Sequence, residues 1–104
     1  MITRAELFGI RPAGPGHYTL EGELSFASAD QALQKTAKIF AAQAQTTVFD
    51  LAGIAKADSA GLALLLEWLR QASLGGVELH YANLPRQLLT MARVAGVDGI
   101  LIID

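Results

Sequence analysis

Apolar residues recur along this chain with two periods, and the change from one to the other divides it into elements. The segment Glu6-Leu7-Phe8-Gly9-Ile10 is apolar-rich and runs into Arg11-Pro12-Ala13-Gly14-Pro15-Gly16, a cluster holding two of the three prolines that reads as a turn. His17-Tyr18-Thr19-Leu20-Glu21-Gly22-Glu23-Leu24 then alternates polar with apolar residues, as a half-buried strand does. The two segments predict a hairpin with a six-residue connection, longer than the preferred two-residue type.

Period two then gives way to helical spacing. Ala32, Leu33, Thr36, Ala37 and Phe40 recur every three to four residues, which predicts a helix from a cap at Ser28 or Asp30 to about Ala44. Thr46-Thr47-Val48-Phe49-Asp50-Leu51 is β-branched and short, and predicts a buried strand. A loop through Gly53 leads to Asp58-Ser59-Ala60-Gly61, which opens a helix that Gly75-Gly76 stops near Leu74. Val77–Ala82 is the next strand. A third helix begins at Pro85 and carries Leu88, Leu89, Met91, Ala92 and Ala95 up to Gly96, and Ile100–Ile103 predicts a closing strand.

The resulting order is β-β-α-β-α-β-α-β. Strands that alternate with helices pair in parallel through right-handed crossovers, so the expected fold is α/β with a mixed, mostly parallel sheet that begins with an antiparallel hairpin. The length of 104 residues fits a single domain over 1–104, and 52% hydrophobic against 17% charged residues fits a packed core.

Charge and cysteine content narrow the function. A net charge of −2 lacks the broad positive footprint of a nucleic-acid binder. With no cysteine, thiol nucleophiles, cysteine-ligated zinc and iron–sulfur clusters are excluded. Charges interrupt 1–6 before any signal-type apolar stretch, and the longest apolar run, Leu62–Leu66, is far below the ~20 residues of a membrane span. A cytoplasmic protein without direct membrane insertion is expected.

The candidate chemistry lies around Ser59. Asp58 or Ser59 can accept hydrogen bonds from the free amides of the helix they open. A cap alone would satisfy that pattern. A small hydroxyl at the positive end of a helix dipole can also face a partner or accept a phosphoryl group. In the helix, Gly61, Leu62, Leu64, Leu65, Leu66, Trp68, Leu69 and Ala72 cover an arc of about 200°, wider than the ~100° that packing on a sheet needs. The surplus width has to be covered by a neighbouring helix or by another protein, with Leu64 and Trp68 as candidate anchors of an interface.

Other candidates carry less. His17 and His80 have no partner at metal-ligand spacing, so no metal site is expected. Asp50 and Asp58 either pair across the sheet edge or satisfy local backbone amides. Ser59 has no nucleophile elbow or oxyanion-hole motif beside it, and the glycines fit neither a dinucleotide fingerprint nor a P-loop. No catalytic residue, cofactor or enzyme activity is expected.

Phe49-Asp50-Leu51, the following loop and Asp58-Ser59-Ala60-Gly61-Leu62-Ala63-Leu64-Leu65-Leu66 together resemble the signature of STAS domains. Leu20-Glu21-Gly22-Glu23-Leu24 resembles the family's second strand, and Gly75–Leu79 and Met91–Val97 its later strand and helix. Anti-sigma factor antagonists of the family carry a second hydroxyl residue after the Asp-Ser pair, which a partner kinase phosphorylates. Here that position is Ala60. The chain is more similar to the small STAS subunit of Mla-type phospholipid ABC transporters, in which a hydroxyl residue follows the Asp, as Ser59 does. This resemblance implies a STAS fold and a non-catalytic subunit that docks on the transporter's cytoplasmic ATPase, peripheral to the inner membrane through that partner. The implied interface is Asp58, Ser59, Ala60, Gly61, Leu64 and Trp68. The alternative it implies is an anti-sigma factor antagonist that binds a serine kinase or anti-sigma partner and is phosphorylated at Ser59.

Overall fold

A computed structural model describes residues 6–41 and 46–104. Among these residues, β-branched and aromatic segments form four strands, β1 (Phe8–Pro12), β2 (His17–Leu24), β3 (Thr46–Ala57) and β4 (Glu78–Ala82). Between and after them lie three α-helices, α1 (Ala29–Thr36), α2 (Ser59–Leu74) and α3 (Arg86–Val94), and a 3₁₀ turn at Asp98–Ile100.

The sheet order is β1-β2-β3-β4, with β1 antiparallel to β2 and the remaining pairs parallel. Because each crossover advances by one strand in the same direction, right-handed connections put the helices on one face. One cluster joins both layers: Phe8, Leu20, Phe49, Leu51 and Tyr81 from the sheet meet Ala32, Leu65, Trp68 and Leu88 from the helices. The mixed α/β fold read from the pattern is present.

Glycines end two helices by one device. Gly76 (φ 72°) and Gly96 (φ 74°) take the left-handed conformation, and the next N–H reaches back to a carbonyl inside the helix. These bonds are Val77 to Ala72 (2.8 Å) and Val97 to Ala92 (2.9 Å). The outer edge of β1 is closed by α1 side chains. Gln31 Oε1 accepts from Leu7 N–H at 2.7 Å, and Lys35 Nζ donates to the Phe8 carbonyl at 2.6 Å.

Several boundaries differ from the reading of the sequence. The helix expected to reach Ala44 stops at Thr36, and 42–44 lie outside the described residues. The Thr36 hydroxyl bonds the Ala32 carbonyl at 2.7 Å, and Ile39 N–H turns to the Thr36 carbonyl three residues back, which tightens the chain into a turn.

The loop expected through Gly53 is strand, because β3 runs on to Ala57 in register with Leu24. Gly53 is what the pairing needs: a Cβ there would stand 2.7 Å from the Leu20 carbonyl.

The closing strand expected at Ile100–Ile103 is reduced to a single parallel bridge between Tyr81 and Ile103. Asp98-Gly99-Ile100 forms the 3₁₀ turn instead, which leaves the Ile100 side chain exposed and only Leu101 buried. The hairpin connection also shortens, since β1 includes Arg11 and Pro12.

Candidate protein-interaction site at the start of α2

Asp58 is the hinge of the site. It is extended (φ −138°) and caps α2, with Oδ1 accepting from Ala60 N–H at 2.9 Å. Its other oxygen, Oδ2, accepts from Phe26 N–H at 3.1 Å, so one carboxylate ties the β2–α1 loop to the start of α2. The Asp58 N–H completes the link by donating to the Leu24 carbonyl at 3.1 Å.

Gly61 allows this approach. An added Cβ would lie 2.5 Å from the Leu24 carbonyl oxygen and 3.2 Å from Leu88 Cδ2. The loop is also stiffened from within, since Ser25 N–H donates to Ser28 Oγ at 2.9 Å and Ser28 Oγ donates to the Glu23 carbonyl at 2.8 Å. Ser28 occupies the N-cap position of α1, but its hydroxyl serves the loop rather than the helix amides.

This scaffold presents an exposed surface. Ser59 is exposed as the first residue of α2, and Ala60 beside it is half-buried. Between the first turns of α1 and α2 lies an open groove of about 480 Å³, lined by Phe26, Ala29, Leu33, Ala60, Ala63 and Leu64 with Asp30 and Glu67 among its walls. Phe26 is 86% exposed beside it, the largest apolar side chain so placed among the described residues. Glu67 is already engaged: Arg70 donates to both of its oxygens and Gln71 to one, and these bonds, Arg70's first, lower its pKa to about 2.

Trp68 does not belong to this surface. It is fully buried, its indole N–H donates to Thr36 Oγ1 at 2.8 Å, and its ring packs edge-on against Phe49 with centroids 5.2 Å apart. The expectation that it anchors a partner is corrected: α2 turns that position into the sheet. Leu64 is 4% exposed and reaches the groove only by its edge, while Gly61 is buried under Leu24. Most of the wide apolar arc of α2 is therefore covered by the chain itself, with Leu62, Leu66 and Leu69 packed against the core.

Phe26 is the residue that sequence reasoning missed. The signal was a lone aromatic in Ser25-Phe26-Ala27-Ser28, between a strand and a helix cap, where no core position is expected.

The remaining candidates lie elsewhere. Asp50 Oδ1 accepts from Ala52 N–H and Asn83 Nδ2, both at 2.9 Å, and the Asn83 bond, then the amide, lowers its pKa. Asp50 and Asp58 thus each satisfy a local amide and do not pair. Among the described residues no group of three His, Asp or Glu could hold a metal ion, and no helix is long and apolar enough to cross a membrane.

A family model described as Mlab, STAS domain matches residues 12–103. The chain belongs to the STAS family. Its architecture is that of solved STAS-fold structures at low identity. An anti-sigma factor antagonist from Mycobacterium paratuberculosis superposes with a TM-score of 0.77 at 14% identity, covering 99% of this chain and 89% of that one. The Bacillus cell fate determinant SpoIIAA in its phosphorylated form gives 0.67 at 17%, covering 93% and 90%. A sulfate transporter family protein from Wolinella succinogenes gives 0.68 at 17%, covering 98% and 84%. Comparison with curated protein sequences finds no match. In this STAS domain the Asp58-Ser59-Ala60-Gly61 block sits at the strand-to-helix junction, with a methyl group at Ala60.

Proposed function

We propose that this STAS domain is a non-catalytic cytoplasmic subunit that docks on the ATPase of a Mla-type phospholipid ABC transporter and supports it. The docking surface is the start of α2 with the groove beside it. Asp58 sets its shape, Ser59 and Ala60 allow close approach, and Phe26 with the edge of Leu64 supplies apolar contact. An α-helix of the partner is the element that such a groove between two helices fits.

The observation that carries this reading is Ala60. A side chain without a hydroxyl cannot accept the phosphoryl group that the resemblance assigns to that position in anti-sigma factor antagonists. The match to the Mlab-described family model supports the same branch. A second reading keeps Ser59 as a phosphorylation site, favoured by its exposure at a helix N-terminus, where phosphate is stabilised.

The deciding experiment is to tag the chain in its native host, solubilise membranes gently and identify what copurifies by mass spectrometry. An ABC ATPase with its permease, lost on Ser59→Glu, is the expected result. A serine kinase or a sigma-regulating protein, with a one-phosphate mass increase on Ser59, would replace this reading with the second.

A further inference from the structure

The segment that follows the 3₁₀ turn is held to the sheet by few bonds, and one of them titrates. Tyr81 N–H donates to the Ile102 carbonyl at 2.8 Å and Asp104 N–H donates to the Tyr81 carbonyl at 2.9 Å, which makes 101–104 an incipient fifth strand on the free edge of β4. On the neighbouring β4 residue, His80 Nδ1 lies 2.8 Å from Asp104 Oδ1, while Nε2 lies 3.4 Å from Glu78 Oε2.

The other groups around His80 are known from the register. Val48 of β3 stands beside it, with His17 of β2 beyond in the same row. Thr46 and Asp50 flank Val48 on the same face of β3, and the Asp50 carboxylate is occupied by Asn83 and Ala52. The two carboxylates nearest His80 are thus Glu78 of its own strand and Asp104 of the segment.

We propose that 101–104 is a proton-regulated edge strand: protonated His80 clamps Asp104 onto β4, and the neutral imidazole loosens it. The hydrogen bond to Asp104, and secondarily Glu78, raises the His80 pKa above 6.5 against the opposing effect of burial. A base whose pKa is raised by folding contributes stability below its unfolded pKa, and that stability fades as pH rises through the folded value. The clamp is therefore closed where carboxylates are ionised and imidazole is protonated, around pH 5 to 6, and weakens above the His80 pKa. When it opens, the outward N–H and C=O of Tyr81 lose Ile102 and Asp104 as partners and exchange with solvent.

The test is an NMR titration of the full chain from pH 5 to 8.5. It follows the His80 ring and the exchange of the Tyr81 and Asp104 amides, corrected for intrinsic rates. The expected result is a His80 pKa above 6.5 and a loss of protection at both amides of about threefold through that same pKa, the size expected of a solvent-accessible ion pair. Asp104→Asn should return His80 toward the ordinary value and remove the pH dependence, whereas His17→Gln should leave it in place. Protection that stays flat through the His80 titration, or a pKa still fully raised in Asp104→Asn, would overturn the proposal.

Discussion

The indole N–H of Trp68 donates to the hydroxyl of Thr36 at 2.8 Å, wholly inside the protein. That bond joins the middle of α2 to the last residue of α1, and Thr36 in turn donates to Ala32. Thr36→Val keeps the shape but leaves the buried N–H without an acceptor, which costs about 1–3 kcal/mol. Urea unfolding followed by the fluorescence of Trp68, the only tryptophan, should show the midpoint fall with an unchanged slope.

Thr47 presents the opposite case. Its hydroxyl is buried and has no hydrogen-bond partner among the described residues. Thr47→Val preserves β-branching and removes the unsatisfied group, so stability should rise by about 1 kcal/mol. A fall in the thermal midpoint would show that the hydroxyl is satisfied in solution.

Gly61→Ala should strain the junction between the start of α2 and the Leu24 backbone first. The added methyl would meet the Leu24 carbonyl oxygen at 2.5 Å, and that backbone has little room to yield because it also accepts from Asp58 N–H. A loss of about 1–3 kcal/mol is expected. Amide shifts in a ¹⁵N–¹H spectrum should be largest at Phe26, Asp58 and Ala60. Shifts spread evenly over α2 and α3 would point to a general packing defect instead.

The fold was legible where a local signal decides the structure. Asp58 is a cap by chemistry, Gly76 and Gly96 are stops by backbone freedom, and the alternation in 17–24 is unchanged by its surroundings. The misread segments are those whose fate is set from a distance. Ala52-Gly53 has the composition of a turn, yet it is strand because β2 runs alongside it. Ile100–Ile103 has the composition of an interior strand, but it lies beyond the β4 edge, where a single bridge forms.

At the site the position of α2 was legible and its rotation was not. Helical periodicity defines an apolar arc without saying which part of it faces the sheet, so Trp68 was grouped with the surface it lies beneath. Phe26 escaped because the loop that carries it is tied to α2 by Asp58, which accepts its amide N–H from 32 positions away.

Because α1 and α2 cover most of their own apolar surface, the docking account rests on a small area, and its variants should separate cleanly. Phe26→Asp changes an exposed side chain, and Ser59→Glu puts a carboxylate where the helix dipole favours one, so both should keep the wild-type thermal midpoint within about 2 °C. A larger fall would assign those residues to folding.

The most direct measurement is the affinity of the purified domain for the purified ATPase subunit of its host's Mla-type transporter, by titration calorimetry. The expected result is a defined complex that Phe26→Asp and Ser59→Glu each weaken by about tenfold or more, while Thr19→Ala on the open sheet face binds as wild type. Equal affinity for all four proteins, or no binding by the wild-type domain, would contradict it.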